Sequence, residues 1–138
     1  MAYHVFVSSM SNERDLAEDL AQRIRKAGAE VVVWSDTVLR GARGEWVDLA
    51  LRRELRKADE VILILTERSL DSPDLLFELG AAFSLHKRVI PLLVGVGEVP
   101  SLIRQFPYVR YNDLHAYLSG LEHRAKLPVD GPPIAAAY

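Results

Sequence analysis

The sequence predicts a three-layer α/β fold of the flavodoxin-like kind, in which a five-stranded parallel sheet ordered 2-1-3-4-5 carries helices on both faces. Three observations predict it. Short apolar runs occur at His4–Val7, Val31–Trp34, Val61–Leu65 and Val89–Val94. These runs are continuous rather than alternating, which is the pattern of central strands covered on both faces. Between them lie segments with apolar residues at helical spacing, so strand alternates with helix and each crossover returns the chain to a parallel sheet.

Each element has its own signals. From Glu13 to Ala27, Leu16, Leu20 and Ile24 fall four apart on one face, while Glu18, Asp19, Arg23 and Arg25 occupy the other. Asn12 is the expected N-cap of this helix and Gly28 its expected stop. A second helix is expected from Glu45 to Lys57, with Val47, Ala50, Leu51 and Leu55 inward and Arg52, Arg53 and Arg56 in solvent. A third opens at Ser72-Pro73-Asp74, where a capping serine, a proline in the first helical position and an acid at the positive helix end agree. It is expected to reach about His86 and to bury Leu75, Leu79, Ala82 and Phe83. A Gly95-Val96-Gly97 turn, a short helical piece between Val99 and Gln105, and an edge strand at Tyr108–Tyr111 follow. Asp113 then caps a last helix bearing Leu114, Tyr117, Leu118 and Leu121. Residues 1–124 are expected to form one domain. Residues 125–138, with Pro128, Pro132 and Pro133, form an irregular tail.

Composition narrows the function. A chain of 138 residues, 49% hydrophobic and 26% charged, suits one globular core rather than a disordered or fibrous chain. A formal net charge of −2 argues against a chain built to wrap nucleic acid or coat an anionic membrane. The absence of cysteine removes disulfides, thiolate nucleophiles and Cys-ligated metals. There is neither a signal-peptide pattern nor a run of roughly 18 apolar residues, so the expected location is the cytoplasm. His4, His86, His115 and His123 are too scattered to chelate, and no metal site is expected. No Gly-x-Gly-x-x-Gly follows the first apolar run, and Gly41-Ala-Arg-Gly44 lacks the Lys-Ser/Thr of a phosphate-binding loop.

In sheets of this kind, ligands bind beyond the carboxyl ends of the strands where the strand order reverses. The site is therefore sought at Ser8–Ser11, Asp36–Gly44 and Thr66–Glu78. Glu78 stands out, because its neighbours are Leu75, Leu76, Phe77 and Leu79. A carboxylate against apolar surface costs free energy unless it is paired, and such placement often marks a working acid. The alternative is an exposed helix glutamate at the edge of an apolar stripe.

Val5-Phe-Val-Ser8, Trp34-Ser-Asp36, Gly44-Glu-Trp46, Ala58-Asp-Glu-Val-Ile-Leu-Ile-Leu65, Ser72-Pro73, Phe77-Glu-Leu-Gly80 and Val89-Ile-Pro91 together resemble the successive motifs of a Toll/interleukin receptor (TIR) domain of the bacterial type, over residues 3–121. The resemblance implies the fold already inferred. It also implies either an interaction module or an enzyme that hydrolyses or cyclises NAD by breaking the nicotinamide–ribose bond, in bacterial defence or signalling. Glu78 matches the essential glutamate of those enzymes. Nicotinamide leaves a cationic pyridinium as a neutral molecule, so no acid need protonate it, and an anion beside the oxocarbenium-like ribose supplies the stabilisation.

By the same resemblance Ser8, Ser9 and the loop from Asp36 to Gly44 line the pocket, with Phe77 and Asp74 next to Glu78. Arg40 and Arg43 either meet the pyrophosphate as charged donors or are solvated loop arginines. Asp74 stands where many catalytic relatives carry a tryptophan, and it equally suits the helix N-terminus. Trp34 and Trp46 are assigned to packing ahead of base stacking. NAD is then a substrate, with no cofactor, and the partners are other TIR domains in a homotypic assembly that completes the pocket. Two alternatives stand beside this reading. One is a non-enzymatic TIR–TIR module that uses the loop from Asp36 to Gly44. The other follows from Ser72–Gly80, which also resembles the nucleophile segment of nucleoside deoxyribosyltransferases.

Overall fold

Hydrogen bonding joins β1 (His4–Ser9), β2 (Glu30–Ser35), β3 (Glu60–Leu65), β4 (Arg88–Leu93) and β5 (Val109–Arg110) into one sheet of order β2-β1-β3-β4-β5, parallel throughout. This is the expected topology. The computed structural model describes residues 2–35, 53–71 and 86–126. The expected second helix, apart from a helical stretch at 53–57, and the expected third helix up to residue 85 lie outside the described residues.

Both sheet faces are apolar because side chains alternate across each strand. Val5, Val7, Ile62, Ile64, Ile90 and Leu92 face one layer, where they pack with Leu20 and Ile24 of the first helix (Arg14–Lys26) and with Leu114 and Leu121 of the C-terminal helix (Leu114–Ala125). Phe6, Trp34, Val61, Leu63, Leu65 and Leu93 face the other, against Leu55, Ala58, Val96, Val99 and Ile103. All six residues of β3 are buried, as a central strand requires.

The first helix differs from expectation at its start. A 3-10 turn, Ser11–Glu13, closes with the Glu13 amide donating to the Met10 carbonyl at 3.0 Å, so the helix begins at Arg14 with Glu13 in the N-cap position. Asn12 lies inside that turn, exposed, and caps nothing. Gly28 does stop the helix, with φ +101°, a conformation that side chains with a Cβ rarely adopt. Asp113 occupies the N-cap position of the C-terminal helix, but its side chain makes no capping hydrogen bond, since a 3-10 turn, Tyr111–Asp113, leads into the helix instead.

At the N-terminal edge of the sheet, Glu60 is fully buried and saturated with donors. Tyr3 donates its hydroxyl to Oε1 at 2.6 Å, Tyr117 donates to Oε2, and Arg124 donates from Nε to Oε1 at 3.0 Å and from Nη2 to Oε2 at 3.2 Å. The Arg124 guanidinium also lies 5.5 Å from the Tyr117 ring centroid. One carboxylate thus ties the chain start and the C-terminal helix to the central strand.

Burial first, and then the Glu60 charge, hold the Tyr3 and Tyr117 hydroxyls well above the ordinary phenol value of 10.0. With folded pKa values raised, the unfolded chain loses these protons first. The stabilisation is therefore complete below about pH 10 and is lost as pH rises through the folded values. Ultraviolet titration should show a late-ionising tyrosinate phase that coincides with loss of structure and is reduced by Tyr3→Phe. A phase untouched by that substitution would contradict the assignment.

Candidate functional site

The chain runs from β1 to β2 on one side and then returns to β3 on the other, so the strand order reverses between β1 and β3. Polar burial is concentrated at the C-terminal ends of these two strands. Among the described residues the buried polar side chains are Ser8, Ser9, Glu13, Ser69 and Glu60, and only Glu60 lies at the opposite edge. Burying such groups costs free energy unless they are hydrogen-bonded, and their gathering at the switch point makes this edge the candidate site.

The backbone explains the gathering. Ser8 and Ser9 end β1 in register with Trp34 and Ser35 of β2. The 3-10 turn then places Glu13 over the end of the sheet, where its Oε1 accepts the Thr66 hydroxyl at 2.9 Å. Thr66 follows β3 and opens a tight turn with Ser69. The Thr66 amide donates to Ser69 Oγ at 2.5 Å, the Ser69 amide returns a bond to Thr66 Oγ1 at 3.2 Å, and Ser69 Oγ donates to the Thr66 carbonyl at 3.1 Å. The next residue, Glu67, accepts the Gly97 amide at 3.1 Å, and Arg110 donates to the carbonyls of Val96 at 2.8 Å and Gly97 at 3.1 Å. A chain of polar contacts therefore runs along this edge from the loop after β1 to the loops after β3 and β4.

Two buried donors in the same region have no hydrogen-bond partner among the described residues, Ser9 Oγ and Trp34 Nε1. The Trp34 ring packs on Phe6 with centroids 6.1 Å apart and is 9% exposed, in keeping with the packing role assigned to it.

Of the residues singled out from sequence, Ser8 and Ser9 are described, and the structure brings both to the C-terminal edge. Asp36, Arg40, Arg43, Gly44, Asp74, Phe77 and Glu78 lie outside the described residues, as does Trp46. Sequence reasoning missed Glu13, treated only as the start of a helix, and Glu60, read as part of a motif. The signal for Glu60 was present, since it is a carboxylate opening the apolar run Val61–Leu65. It is the same kind of signal that drew attention to Glu78.

A five-stranded parallel sheet of order β2-β1-β3-β4-β5 with helices packed on it defines the class of a flavodoxin-like α/β domain. The family model for the TIR domain matches residues 5–124, and the chain belongs to the TIR domain family. Solved structures agree on the fold. The TIR domain of the Toll-related receptor TRR-2 from Hydra magnipapillata is similar with a TM-score of 0.70 at 15% identity, over 91% of this chain and 100% of that one. A prokaryotic SEFIR domain gives 0.59 at 19% identity, over 96% and 98%. The CMP N-glycosidase BcmB of Clostridium botulinum gives 0.59 at 23% identity, over 86% and 98%. A search of the curated proteins finds no match. No described helix is long and apolar enough to cross a membrane.

Proposed function

We propose that this TIR domain cleaves the N-glycosidic bond between nicotinamide and ribose in NAD, with Glu78 as the stabilising anion. The observation that supports this reading is the buried polar rim at the C-terminal ends of β1 and β3, where the connection that carries Glu78 in sequence leaves the sheet at Thr66–Asp71. The likeness to a CMP N-glycosidase adds support, because that enzyme's bond also joins a base nitrogen to a ribose carbon.

In the proposed reaction the C1′–N1 bond breaks and its electron pair passes to the pyridinium nitrogen, so nicotinamide leaves neutral without a proton donor. The Glu78 carboxylate stabilises the cationic ribosyl carbon. Water then adds to that carbon and releases a proton, giving ADP-ribose; capture by an adenine nitrogen of the same molecule gives a cyclic product instead. In this reading Ser9 Oγ, buried and without a hydrogen-bond partner among the described residues, is assigned as a donor to substrate oxygens, and Arg40 and Arg43 to the pyrophosphate. Homotypic assembly belongs to the same reading and rests on the family: neighbouring copies complete the pocket.

A substrate panel tests the reaction class. Protein held at high local concentration should release nicotinamide from NAD, while leaving CMP intact and exchanging no labelled base into a deoxynucleoside. CMP is expected to be the poorer substrate because its neutral cytosine needs protonation to leave, which one ionised carboxylate does not provide. Cleavage of CMP in preference to NAD would overturn the substrate, and base exchange would favour the deoxyribosyltransferase-like alternative. No turnover by clustered protein that still co-sediments with itself would identify an interaction module.

A further inference from the structure

We infer that Glu13 is a positioning residue for the proposed reaction, acting through Thr66 on the connection that carries Glu78; this rests on the N-glycosidase reading. The inference comes from how the Thr66 hydroxyl is used. That hydroxyl has a single hydrogen and two acceptors in reach, Glu13 Oε1 at 2.9 Å and Ser69 Oγ at 3.3 Å. The carboxylate oxygen is the nearer of the two, so it accepts the hydrogen bond.

The Thr66 and Ser69 amides donate in either case, so what Glu13 decides is where the hydroxyl hydrogens go. With its hydrogen committed to Glu13, Thr66 Oγ1 accepts from the Ser69 amide, Ser69 Oγ accepts from the Thr66 amide, and the Ser69 hydroxyl donates to the Thr66 carbonyl. The same carbonyl accepts the Leu70 amide at 3.1 Å. Glu13 thus fixes the hydroxyl directions at Thr66 and Ser69, on the chain's exit from β3. Glu13 is itself held, because its amide closes the 3-10 turn on Met10 and the first helix begins at the next residue. Glu13 and Ser69 are 9% and 1% exposed, so water competes little for these bonds. The arrangement links the turn that follows Ser8 and Ser9 at the end of β1 to the chain's exit from β3, across 53 residues of sequence. A small misplacement of a group that must meet a developing charge costs rate without costing affinity for the parts of the substrate bound elsewhere.

The test is a double-mutant cycle in the full chain, with Glu13→Gln, Thr66→Val and the pair together, and with Thr66→Ser as rescue. Thr66→Val keeps the β-branched shape and removes the hydroxyl. Each single change should lower kcat for NAD roughly tenfold or more with KM changed less than about threefold. The double variant should lose little beyond either single one, and Thr66→Ser should recover most of the rate. Additive losses, a change confined to KM, or no recovery with serine would overturn the inference. Hydrogen exchange at the amides of Ser69 and Leu70 is read on the same proteins and needs no turnover. It should rise about tenfold in Glu13→Gln as in Thr66→Val, and unchanged protection in Glu13→Gln overturns the link. Absent NAD cleavage in the unmodified chain would instead refute the enzymatic reading, with the exchange data still deciding whether Glu13 orders the turn.

Discussion

Replacement of Glu78 by glutamine should abolish nicotinamide release from NAD, by at least about a thousandfold, with little change in melting temperature. The size follows from the role. A preorganised group that stabilises charge only in the transition state typically carries about 10²–10³ in rate, and a full anion facing a cation in a site closed to water carries more. Glutamine preserves the shape and removes the charge, so the loss should appear in kcat rather than KM. Stability should hold, because a carboxylate with apolar neighbours in sequence gains nothing from its charge in the folded state unless it is paired. Rate and melting curve measured on the same preparation check both halves. Residual turnover within tenfold of the unmodified chain would remove Glu78 from the mechanism.

The largest stability effect should come from the opposite edge of the sheet. Arg124→Ala leaves the fully buried Glu60 with two phenol donors and no counter-charge. Breaking a buried ion pair from one side typically costs about 3–5 kcal/mol, because the remaining charge stays desolvated. For a domain of this size that corresponds to a fall in melting temperature of roughly 10 °C or more. The pair itself need not be net stabilising compared with apolar residues of similar volume. Arg124→Ala combined with Glu60→Met should therefore be more stable than Arg124→Ala alone, since no buried charge remains. Urea unfolding of both variants measures this. A loss below about 1 kcal/mol for Arg124→Ala would show that solvent reaches Glu60 and that the cluster is not sealed.

The two edges share their residue types and differ in how they are satisfied. Glu60 has four donors on two oxygens and no capacity left for a ligand, which makes it an anchor. At the C-terminal edge the buried Ser9 hydroxyl has no partner among the described residues, and an uncompensated group of that kind costs about 1–3 kcal/mol. Stability is retained at one edge and given up at the other, the division expected when one edge binds substrate.

The strands were legible because a doubly covered parallel strand leaves a simple trace. Val61–Leu65 is apolar at every position, and its flanking helical periodicity excludes a hairpin. Topology followed from the alternation of strand and helix, and the edge on which to look for a site followed from topology. Hydrogen bonds set by a single backbone turn were less visible. Asn12 has the chemistry of an N-cap, yet the 3-10 turn from Ser11 to Glu13 moves the helix start past it and brings Glu13 to the strand ends. Thr66 and Glu13 are 53 residues apart, and no local pattern announces their bond. Glu60 illustrates a different limit. A carboxylate in apolar sequence is either an anchor or a reactive group, and only its partners, from Tyr3 at one end of the chain to Arg124 at the other, distinguish the two.

The proposed cleavage of the nicotinamide–ribose bond of NAD can be observed directly. Proton NMR of NAD incubated with the full chain, brought to high local concentration on a multivalent scaffold, tests it most directly, because free nicotinamide and the anomeric proton of the ribosyl product are resolved in one spectrum. Nicotinamide should appear in equal amount with ADP-ribose or its cyclic form, dependent on clustering. An unchanged NAD spectrum from protein shown to be folded and clustered would contradict it.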